Sequence, residues 1–328
     1  MSTESTMPTK LSKLTTEHPR DGKYRILSLD GGGAKGFYTL GVLREIEALL
    51  NCPLYKHFDL VFGTSTGAII AALIALGYEI EEIHQLYKEY VPAIMKRWFP
   101  TTRTWALEKL AKEVFGDQQF TDVKTGIGIV TTKWMIETPM IFKANVEQAY
   151  GRKSSFIPGF GVSIADAVQG SCSAYPFFKR KTITTATSDI VEIGDGGFCA
   201  NNPTLYAIAD AVKALKIAHS EVRVISIGCG VYPTPKISPR RFIGWCLGCL
   251  PSVKLLQKVL EINTQSMDQL RAVLYSDIQT VRVNEKFQQP ELAADLMEHN
   301  LVKLNKLRQR GVQSFADLEA EIKTALFS

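Results

Sequence analysis

The chain has 328 residues, of which 45% are hydrophobic and 22% are charged, so it is long enough to bury a sizeable core. A formal net charge of +5 is too mild to indicate a nucleic-acid polymer as partner, although it suits an anionic lipid surface. The segment 1–22 is polar and lacks the apolar core of a secretion signal, and no apolar run reaches the roughly 20 residues of a spanning helix. We therefore expect a soluble, cytoplasmic protein with a flexible leader over residues 1–22.

The remaining chain alternates strand-like and helix-like segments, which predicts an α/β fold with a largely parallel central sheet covered by helices on both faces. We assign residues 23–285 to one domain and residues 286–328 to C-terminal helices packed on it. In chain order the predicted elements are strand 24–29, helix 36–50, strand 58–63, helix 67–77, helices within 80–115, strands near 127–131 and 138–143, helix 163–170, strand 189–194, helix 203–216, strand 222–228, helix 252–275, strand 278–283 and two terminal helices.

A glycine-rich turn follows the first predicted strand, in Asp30-Gly31-Gly32-Gly33-Ala34-Lys35-Gly36. Backbone N–H groups in such a turn, joined to a helix N-terminus, form a concave site that stabilises an anion. In an acyl-transfer enzyme this anion is the tetrahedral oxyanion, the donors are Gly31, Gly32 and Gly33, and Lys35 adds positive field. The turn also matches the G-x-G-x-x-G pattern of dinucleotide sites, so a phosphate ligand is the alternative.

Ser65 lies in Gly63-Thr64-Ser65-Thr66-Gly67, between a predicted buried strand and a predicted buried helix. This context is typical of the nucleophile elbow of serine hydrolases, because the sharp turn needs residues without bulk beside the serine. The elbow also takes the place of the acidic residue that a dinucleotide site requires near the end of its second strand. The sequence therefore favours a nucleophilic serine over a nicotinamide site.

The proton acceptor for Ser65 is not an evident histidine, because no histidine of the sequence follows a strand in a glycine-rich turn. The five histidines are His18, His57, His84, His219 and His299. Asp195 is another candidate, since it ends a predicted strand between glycines that allow close approach to another backbone. Taken alone, this segment equally fits an ordinary Asp-Gly turn. A carboxylate in a partly dehydrated cleft has a raised proton affinity and can serve as a general base.

Three motifs in this order resemble the patatin-like phospholipase family: the glycine turn, the Ser65 elbow, and Asp195-Gly196-Gly197 followed by Asn201-Asn202-Pro203. Segments 169–178 and 222–230 resemble further signatures of that family. The resemblance implies a patatin-like catalytic domain over residues 23–285 and a Ser–Asp dyad without histidine. Ser65 would be the nucleophile and Asp195 the base.

The same resemblance implies that the enzyme cleaves ester-linked fatty acids from membrane phospholipids, with no metal and no cofactor. The oxyanion hole would be formed by Gly31, Gly32 and Gly33, with Lys35 standing where most members carry arginine. Lysine keeps the charge of arginine and loses its bidentate geometry.

The chain also resembles the bacterial patatin-like effectors of cyclic-nucleotide anti-phage signalling. This implies a cyclic dinucleotide as activator and peripheral contact with the inner membrane in the active state, although no residue is tied to the nucleotide by sequence. Assembly into a homo-oligomer is left open. The alternative function is a nucleotide-binding regulatory module, in which the glycine turn grips phosphate and Ser65 is only a turn residue.

Two segments are candidates for contact with lipid. Residues 80–99 carry apolar side chains at helical spacing up to Trp98, and this stripe predicts core packing rather than a lipid-binding face. Between Cys229 and Pro251, arginines next to aromatic and aliphatic residues fit either insertion at a lipid interface or a loop folded on the body. Cys246 and Cys249 form a single CxxC without a second ligand pair, so zinc is not predicted.

Overall fold

A computed structural model describes residues 22–151, 153–233 and 249–328 of the chain. Its strands are β1 (Tyr24–Leu29), β2 (Leu60–Thr64), β3 (Gly126–Lys133), β4 (Thr138–Lys143), β5 (Lys181–Thr184), β6 (Ile190–Asp195), β7 (Val222–Ile227) and β8 (Gln279–Val283). Its helices are α1 (Gly36–Leu50), α2 (Thr66–Leu76), α3 (Ile80–Met95), α4 (Pro100–Phe115), α5 (Ile164–Ser171), α6 (Gly197–Ala200), α7 (Thr204–Ala209), α8 (Cys249–Leu274), α9 (Leu301–Asp317) and α10 (Glu319–Phe327).

The described strands form one mixed sheet in the order β5-β6-β3-β2-β1-β7-β8, with β4 paired to β3. From β3 to β8 in this order the neighbouring strands run parallel. The strands β4, β5 and β6 pair antiparallel at the other end of the sheet. The predicted α/β fold is confirmed, and its parallel sheet carries an antiparallel extension.

Strands β2 and β6 meet end to end along one edge of β3. All of β4 pairs with one edge of β3, over residues 128–133. Both β2 and β6 therefore pair with the opposite edge of β3. Thr64 at the end of β2 pairs with Val130, and Asp195 at the end of β6 pairs with the next residue, Thr131. Since β6 runs antiparallel to β3, the carboxyl ends of β2 and β6 point toward each other. The residue that follows β2 therefore lies beside the last residue of β6.

Apolar side chains cover both faces of the sheet. Ile26 of β1 belongs to the same buried cluster as Ile208 of α7, whereas the next residue, Leu27, joins the larger core that includes α1 and α2. Consecutive strand residues point to opposite faces, so this distribution requires a layer of helices on each side. Every residue of α2 is buried, which explains why this helix is apolar all round. The predicted cover of helices on both faces is confirmed.

The C-terminal helices pack directly on the rest of the fold. α9 crosses α1 where Gly41 faces Gly311, and a Cβ atom on either glycine would overlap a carbonyl oxygen of the opposite helix. Near the chain end, the Arg25 guanidinium donates a hydrogen bond from Nε to the Leu326 carbonyl at 3.0 Å. These contacts join β1 and α1 to the last helices, while the domain boundary at residue 285 stays a prediction.

Several short described elements differ from the sequence prediction, among them α6, which was not predicted. β5 was not predicted, because a strand of 4 residues is too short for its alternation to show. The predicted helix 203–216 is α7 followed by a π-helical turn over Asp210–Ala214. In that turn the buried Asp210 carboxylate accepts a hydrogen bond from Lys143 Nζ at 2.6 Å. A π-helical turn is a local interruption that hydrophobic spacing does not reveal.

Several sequence interpretations concern residues that the structure does not describe. The polar leader lies outside the described residues except for Gly22. The same holds for most of the segment between Cys229 and Pro251, including the cationic and aromatic residues proposed to meet lipid, and for Cys246 of the CxxC pair.

Candidate active site

Ser65 connects β2 to α2 in a backbone conformation that residues with a side chain rarely adopt. Its φ is 53° and its ψ is −122°, a strained combination that persists only when surrounding structure holds it. Ser65 is the single residue between the carboxyl end of β2 and the N-terminus of α2. This strand-to-helix turn is the geometry of a nucleophile elbow, in which the serine hydroxyl stands clear of the backbone.

The glycines on either side of Ser65 are required by close packing. A Cβ atom on Gly63 would overlap the carbonyl oxygen of Gly67. One on Gly67 would overlap the carbonyl oxygen of Leu29 in β1. The elbow is therefore folded tightly on itself and against the neighbouring strand, and only glycine fits at these two positions.

The Ser65 hydroxyl donates a hydrogen bond from Oγ to Asp195 Oδ2 at 2.8 Å. The two residues lie 130 positions apart in the chain, and they meet because β2 and β6 end against each other on β3. Asp195 is held from behind as well, since the Thr132 hydroxyl donates to its carbonyl oxygen at 2.8 Å. The nucleophile candidate and the base candidate are thus in direct contact, with no group between them.

The Asp195 carboxyl is only 2% exposed, and this burial controls its proton affinity. Burial raises the pKa of Asp195 from 3.8 to about 7, while hydrogen bonds from the Gly197 N–H and the Ser65 hydroxyl oppose the rise. The Gly197 N–H donates to Oδ1 at 2.7 Å, which orients the carboxyl and leaves Oδ2 toward Ser65. A carboxyl group with a pKa near neutrality can both accept a proton and return it.

The three amides of the glycine turn are not equivalent. The Gly31 N–H donates to the Asn201 carbonyl at 2.9 Å, so it is already engaged. Within the described part of the chain, the N–H groups of Gly32 and Gly33 have no such acceptor, and both residues line the same cleft as Ser65. Gly31 therefore differs from the sequence prediction: its amide holds the turn in place, and the two free donors are the next two glycines.

An apolar cleft that opens to solvent is lined by both Ser65 and Asp195. Helices α2, α3 and α4 contribute Ile69, Ile94 and Leu110 to its walls. Phe177, Leu260 of α8 and Leu296 also line the cleft. No cationic side chain of the described residues does so. Such a cavity accepts a hydrocarbon chain next to the serine hydroxyl.

Residues 27–208 match the family model described as patatin-like phospholipase, and this range includes the glycine turn, the elbow and Asp195. The chain belongs to the patatin-like phospholipase family. It is 63% identical over 317 residues to a cUMP-AMP-activated phospholipase from Escherichia coli, across 96% of this chain and 98% of that protein. It is 25% identical over 242 residues to a cGAMP-activated phospholipase from Vibrio cholerae, across 65% of each chain. Among solved structures, VipD from Legionella pneumophila has 14% identity and a TM-score of 0.46, across 93% of this chain and 67% of that one.

Ser171, the last residue of α5, positions this patatin-like elbow. The Ser65 N–H donates to Ser171 Oγ at 2.9 Å, and that hydroxyl donates to the Val130 carbonyl at 2.6 Å. The Ser171 carbonyl accepts the N–H of Gly196, next to Asp195, at 3.3 Å. One serine therefore ties the nucleophile, β3 and the base together. In the sequence, Ser171 stands only within a segment that resembles a family signature, and the signal available was a serine among small residues.

Arg282 of β8 anchors the start of the glycine turn, and no sequence pattern pointed to it. Its Nη1 donates to Asp30 Oδ1 at 2.9 Å, and its Nη2 forms a second, shorter bond to Asp30 Oδ2. Nη1 also donates to Ser226 Oγ at 2.8 Å. Because the Asp30 carboxylate is buried, this bidentate pair fixes the residue from which Gly31 follows.

Helix α8 braces the glycine turn from the other side. Asn201 Nδ2 donates to the Gly31 carbonyl at 3.2 Å and to Thr264 Oγ1 of α8 at 2.7 Å. The buried Lys35 side chain points its ammonium toward Glu261 of α8, with Nζ 3.9 Å from Oε1. Lys35 is not among the residues that line the cleft, and its contribution to an oxyanion hole stays a prediction.

None of the histidines within the described ranges lines the cleft. His84 packs edge-on against Phe37, and His219 Nδ1 lies 2.7 Å from Asp277 Oδ2. Activation of Ser65 without a histidine stays a prediction. Across residues 22–151, 153–233 and 249–328, no helix is both long enough and apolar enough to cross a bilayer.

Proposed function

We propose that the protein is a phospholipase of the A type, which releases ester-linked fatty acids from membrane phospholipids with Ser65 as nucleophile and Asp195 as general base, and that a cyclic dinucleotide switches it on. The observation that carries the catalytic part is the 2.8 Å hydrogen bond between Ser65 Oγ and Asp195 Oδ2 inside an apolar cleft. The activator is supported by the name and the near full-length similarity of the cUMP-AMP-activated relative.

In the first half-reaction, Ser65 Oγ attacks the ester carbonyl carbon while its proton passes to Asp195 Oδ2. The developing oxyanion is stabilised by the free N–H groups of Gly32 and Gly33. The apolar lining keeps the acyl chain in place and limits the water that would weaken those hydrogen bonds. When the tetrahedral intermediate collapses, the lysophospholipid oxygen takes the proton back from Asp195, and Ser65 is left as an acyl ester.

In the second half-reaction, a water molecule donates its proton to Asp195 and attacks the acyl carbonyl carbon. The same two amides stabilise the second oxyanion, and Ser65 leaves after it recovers its proton from Asp195. Both halves require that Asp195 accept and return a proton in turn, and a pKa of about 7 suits this exchange near neutral pH.

The proposal extends to where the enzyme works. The proposed phospholipid substrate supports a cytoplasmic enzyme that contacts the inner membrane peripherally when active. The two relatives named for cyclic-nucleotide activation support a role as an effector of anti-phage signalling. Measurement of the molar mass in solution, with and without nucleotide, tests whether the protein assembles into a homo-oligomer.

No observation favours the alternative, in which the glycine turn grips the phosphate of a nucleotide. The free amides open on an apolar cleft whose described lining has no cation, and the nearby Lys35 is paired with Glu261. A multiply charged phosphate would lose its hydration there without an opposite charge in return.

Fatty-acid release from vesicles of phosphatidylethanolamine and phosphatidylglycerol tests the function. Wild type, Ser65→Ala and Asp195→Asn are each assayed without nucleotide and with cUMP-AMP, cGAMP, NAD or ATP. Wild type is expected to release fatty acid when a cyclic dinucleotide is present. The rate of release is expected to be lower by roughly 10³-fold or more in both variants. Asp189→Asn, an exposed carboxylate just before β6, is the matched control and keeps wild-type release.

Each part of the proposal has its own contrary outcome. Equal release by wild type and both dyad variants excludes the Ser65–Asp195 mechanism. Release that is the same under every nucleotide condition excludes the activator and leaves the hydrolase standing. Thermal stabilisation by NAD or ATP without any hydrolysis favours the nucleotide-binding alternative.

A further inference from the structure

Three large aromatic side chains at the corner between α3 and α4 are exposed to solvent. Trp98 is 67% exposed, Phe99 is 70% exposed and Trp105 is 56% exposed. The sequence stripe over residues 80–99 predicted that Trp98 packs in the core, and the structure does bury Ile94 of that stripe. Residues 96–105, called the aromatic corner below, instead present their largest apolar groups outward.

The aromatic corner is held in shape by hydrogen bonds rather than by burial of its rings. Arg103 Nε donates to the Arg97 carbonyl at 2.7 Å, and the Arg97 guanidinium lies 5.4 Å from the centroid of the Trp105 ring. The Thr102 hydroxyl donates to the Phe99 carbonyl at 2.9 Å. The exposed rings therefore lie on an ordered surface, in which arginines and aromatic residues are neighbours.

The aromatic corner adjoins the catalytic cleft. Met95, the last residue of α3, lines the cleft and precedes Trp98 by three residues, which limits their Cα separation to about 11 Å. Leu107 lines the cleft two residues after Trp105. The Thr104 hydroxyl accepts the Lys179 N–H at 2.8 Å, which joins the corner to the segment that places Phe178 in the cleft wall.

Two other segments that line the cleft also carry exposed apolar side chains nearby in the sequence. Tyr175 is 48% exposed and lies between Ala174 and Phe177, which both line the cleft. Val302 at the start of α9 is 67% exposed and follows the lining residue Met297 by five positions. Each of these segments therefore contributes to the cavity and, a few residues away, exposes an apolar side chain.

We propose that the aromatic corner is the surface with which the enzyme docks on a lipid bilayer, with Trp98 and Phe99 inserted at the level of the headgroups. Tryptophan and phenylalanine favour this depth, and the neighbouring Lys96, Arg97 and Arg103 suit the phosphates of anionic lipids. The inference rests on the proposed phospholipid substrate. A docked corner lets an acyl chain pass from the bilayer to the apolar cleft without crossing water.

Vesicle binding by an inactive Ser65→Ala chain tests the surface without turnover. Phe99→Ala is compared with Phe327→Ala, the same substitution at a residue that is 58% exposed. The Phe327 ring lies beside His57, which precedes β2 at the opposite edge of the sheet from Ser65. Sedimentation with phosphatidylcholine vesicles, with and without phosphatidylglycerol, is measured in the absence and presence of cUMP-AMP.

Phe99→Ala is expected to weaken vesicle binding by about tenfold and the pair Trp98→Ala with Phe99→Ala by more, because each ring loses its transfer from water. Phe327→Ala is expected to bind as the parent does. Lys96→Gln is expected to weaken binding only to vesicles that contain phosphatidylglycerol. A parent that binds no vesicle in either nucleotide condition, or a Phe99→Ala chain that binds as tightly as Phe327→Ala, overturns the proposal.

Activity measurements separate this surface from the proposed chemistry. In chains that keep Ser65, the ratio of vesicle hydrolysis to hydrolysis of a soluble short-chain ester is expected to fall about tenfold for Phe99→Ala and to stay constant for Phe327→Ala. A wild type that hydrolyses neither substrate ends the proposed function, while vesicle binding by the Ser65→Ala chain still tests the surface. A change in oligomeric mass with unchanged vesicle binding makes the corner a contact between copies and overturns the proposal.

Discussion

Replacement of Asp195 by asparagine is expected to stabilise the fold at neutral pH while it removes the general base. Asparagine has the same shape, keeps an oxygen to accept the Gly197 N–H, and carries no charge. In the wild type, burial raises the pKa of Asp195 to about 7 from an ordinary 3.8, so the native state holds a proton that the unfolded chain has already lost. The stability of the wild type therefore falls as the pH rises between these two values.

The size of the effect follows from the distance between the two pKa values. They lie about 3 pH units apart, and each unit corresponds to about 1.36 kcal/mol in the free energy of unfolding. Below the unfolded pKa both states are protonated, and the substitution gains nothing. Above the folded pKa both states are ionised, and the gain reaches its full value, on the order of 4 kcal/mol.

Urea unfolding at pH 5, 6, 7 and 8 measures this gain. The difference in unfolding free energy between Asp195→Asn and wild type is expected to grow from about 2 kcal/mol at pH 5 to about 4 kcal/mol at pH 8. Asp189→Asn, which alters an exposed carboxylate, is expected to show no such growth. A difference that is constant across this pH range, or a variant less stable than wild type at pH 8, refutes the reasoning.

Asp195 is also expected to set the pH dependence of catalysis, so that kcat/KM for a soluble ester rises with pH to a plateau above an inflection near pH 7. An inflection near pH 4 would mean that burial does not raise the pKa of this carboxyl. Arg282→Gln is expected to lower the free energy of unfolding by about 3–5 kcal/mol, because the buried Asp30 carboxylate loses its cation. An unchanged urea midpoint contradicts that account. Leu110→Trp fills the apolar cleft and is expected to lower kcat/KM for a long-chain ester more than for a short-chain ester. Equal losses for both esters would mean that the acyl chain lies elsewhere.

The sequence leads to Ser65 and Asp195 because each stands in a local pattern with a physical cause. Gly63 and Gly67 are needed where the elbow folds on itself, and the glycines around Asp195 let the chain approach its neighbours closely. The strands and helices are predicted well for the same reason, since alternation and helical spacing are local properties. The catalytic roles of the two residues stay proposals.

The parts that sequence did not reveal depend on contacts between distant segments. Arg282 and Asp30 are 252 positions apart, and nothing near either residue announces the pairing. Engagement of the Gly31 amide depends on where Asn201 brings its carbonyl, which follows from the path of the chain after β6. Burial of Ser171 against Ser65 depends in turn on how α5 packs on β3.

The antiparallel course of β6 gives the base candidate its strength. In a wholly parallel sheet, the residue that ends a strand lies at the open carboxyl edge, where water keeps the pKa of a carboxyl low. β6 arrives from the opposite direction and ends against β2, so Asp195 is enclosed between Ser65, Thr132 and Gly197. The same enclosure that brings Oδ2 within 2.8 Å of the serine also raises the pKa of the carboxyl to about 7. A single aspartate can therefore accept the proton that a histidine accepts in a catalytic triad. The same burial makes the ionised form of Asp195 less stable in the folded protein.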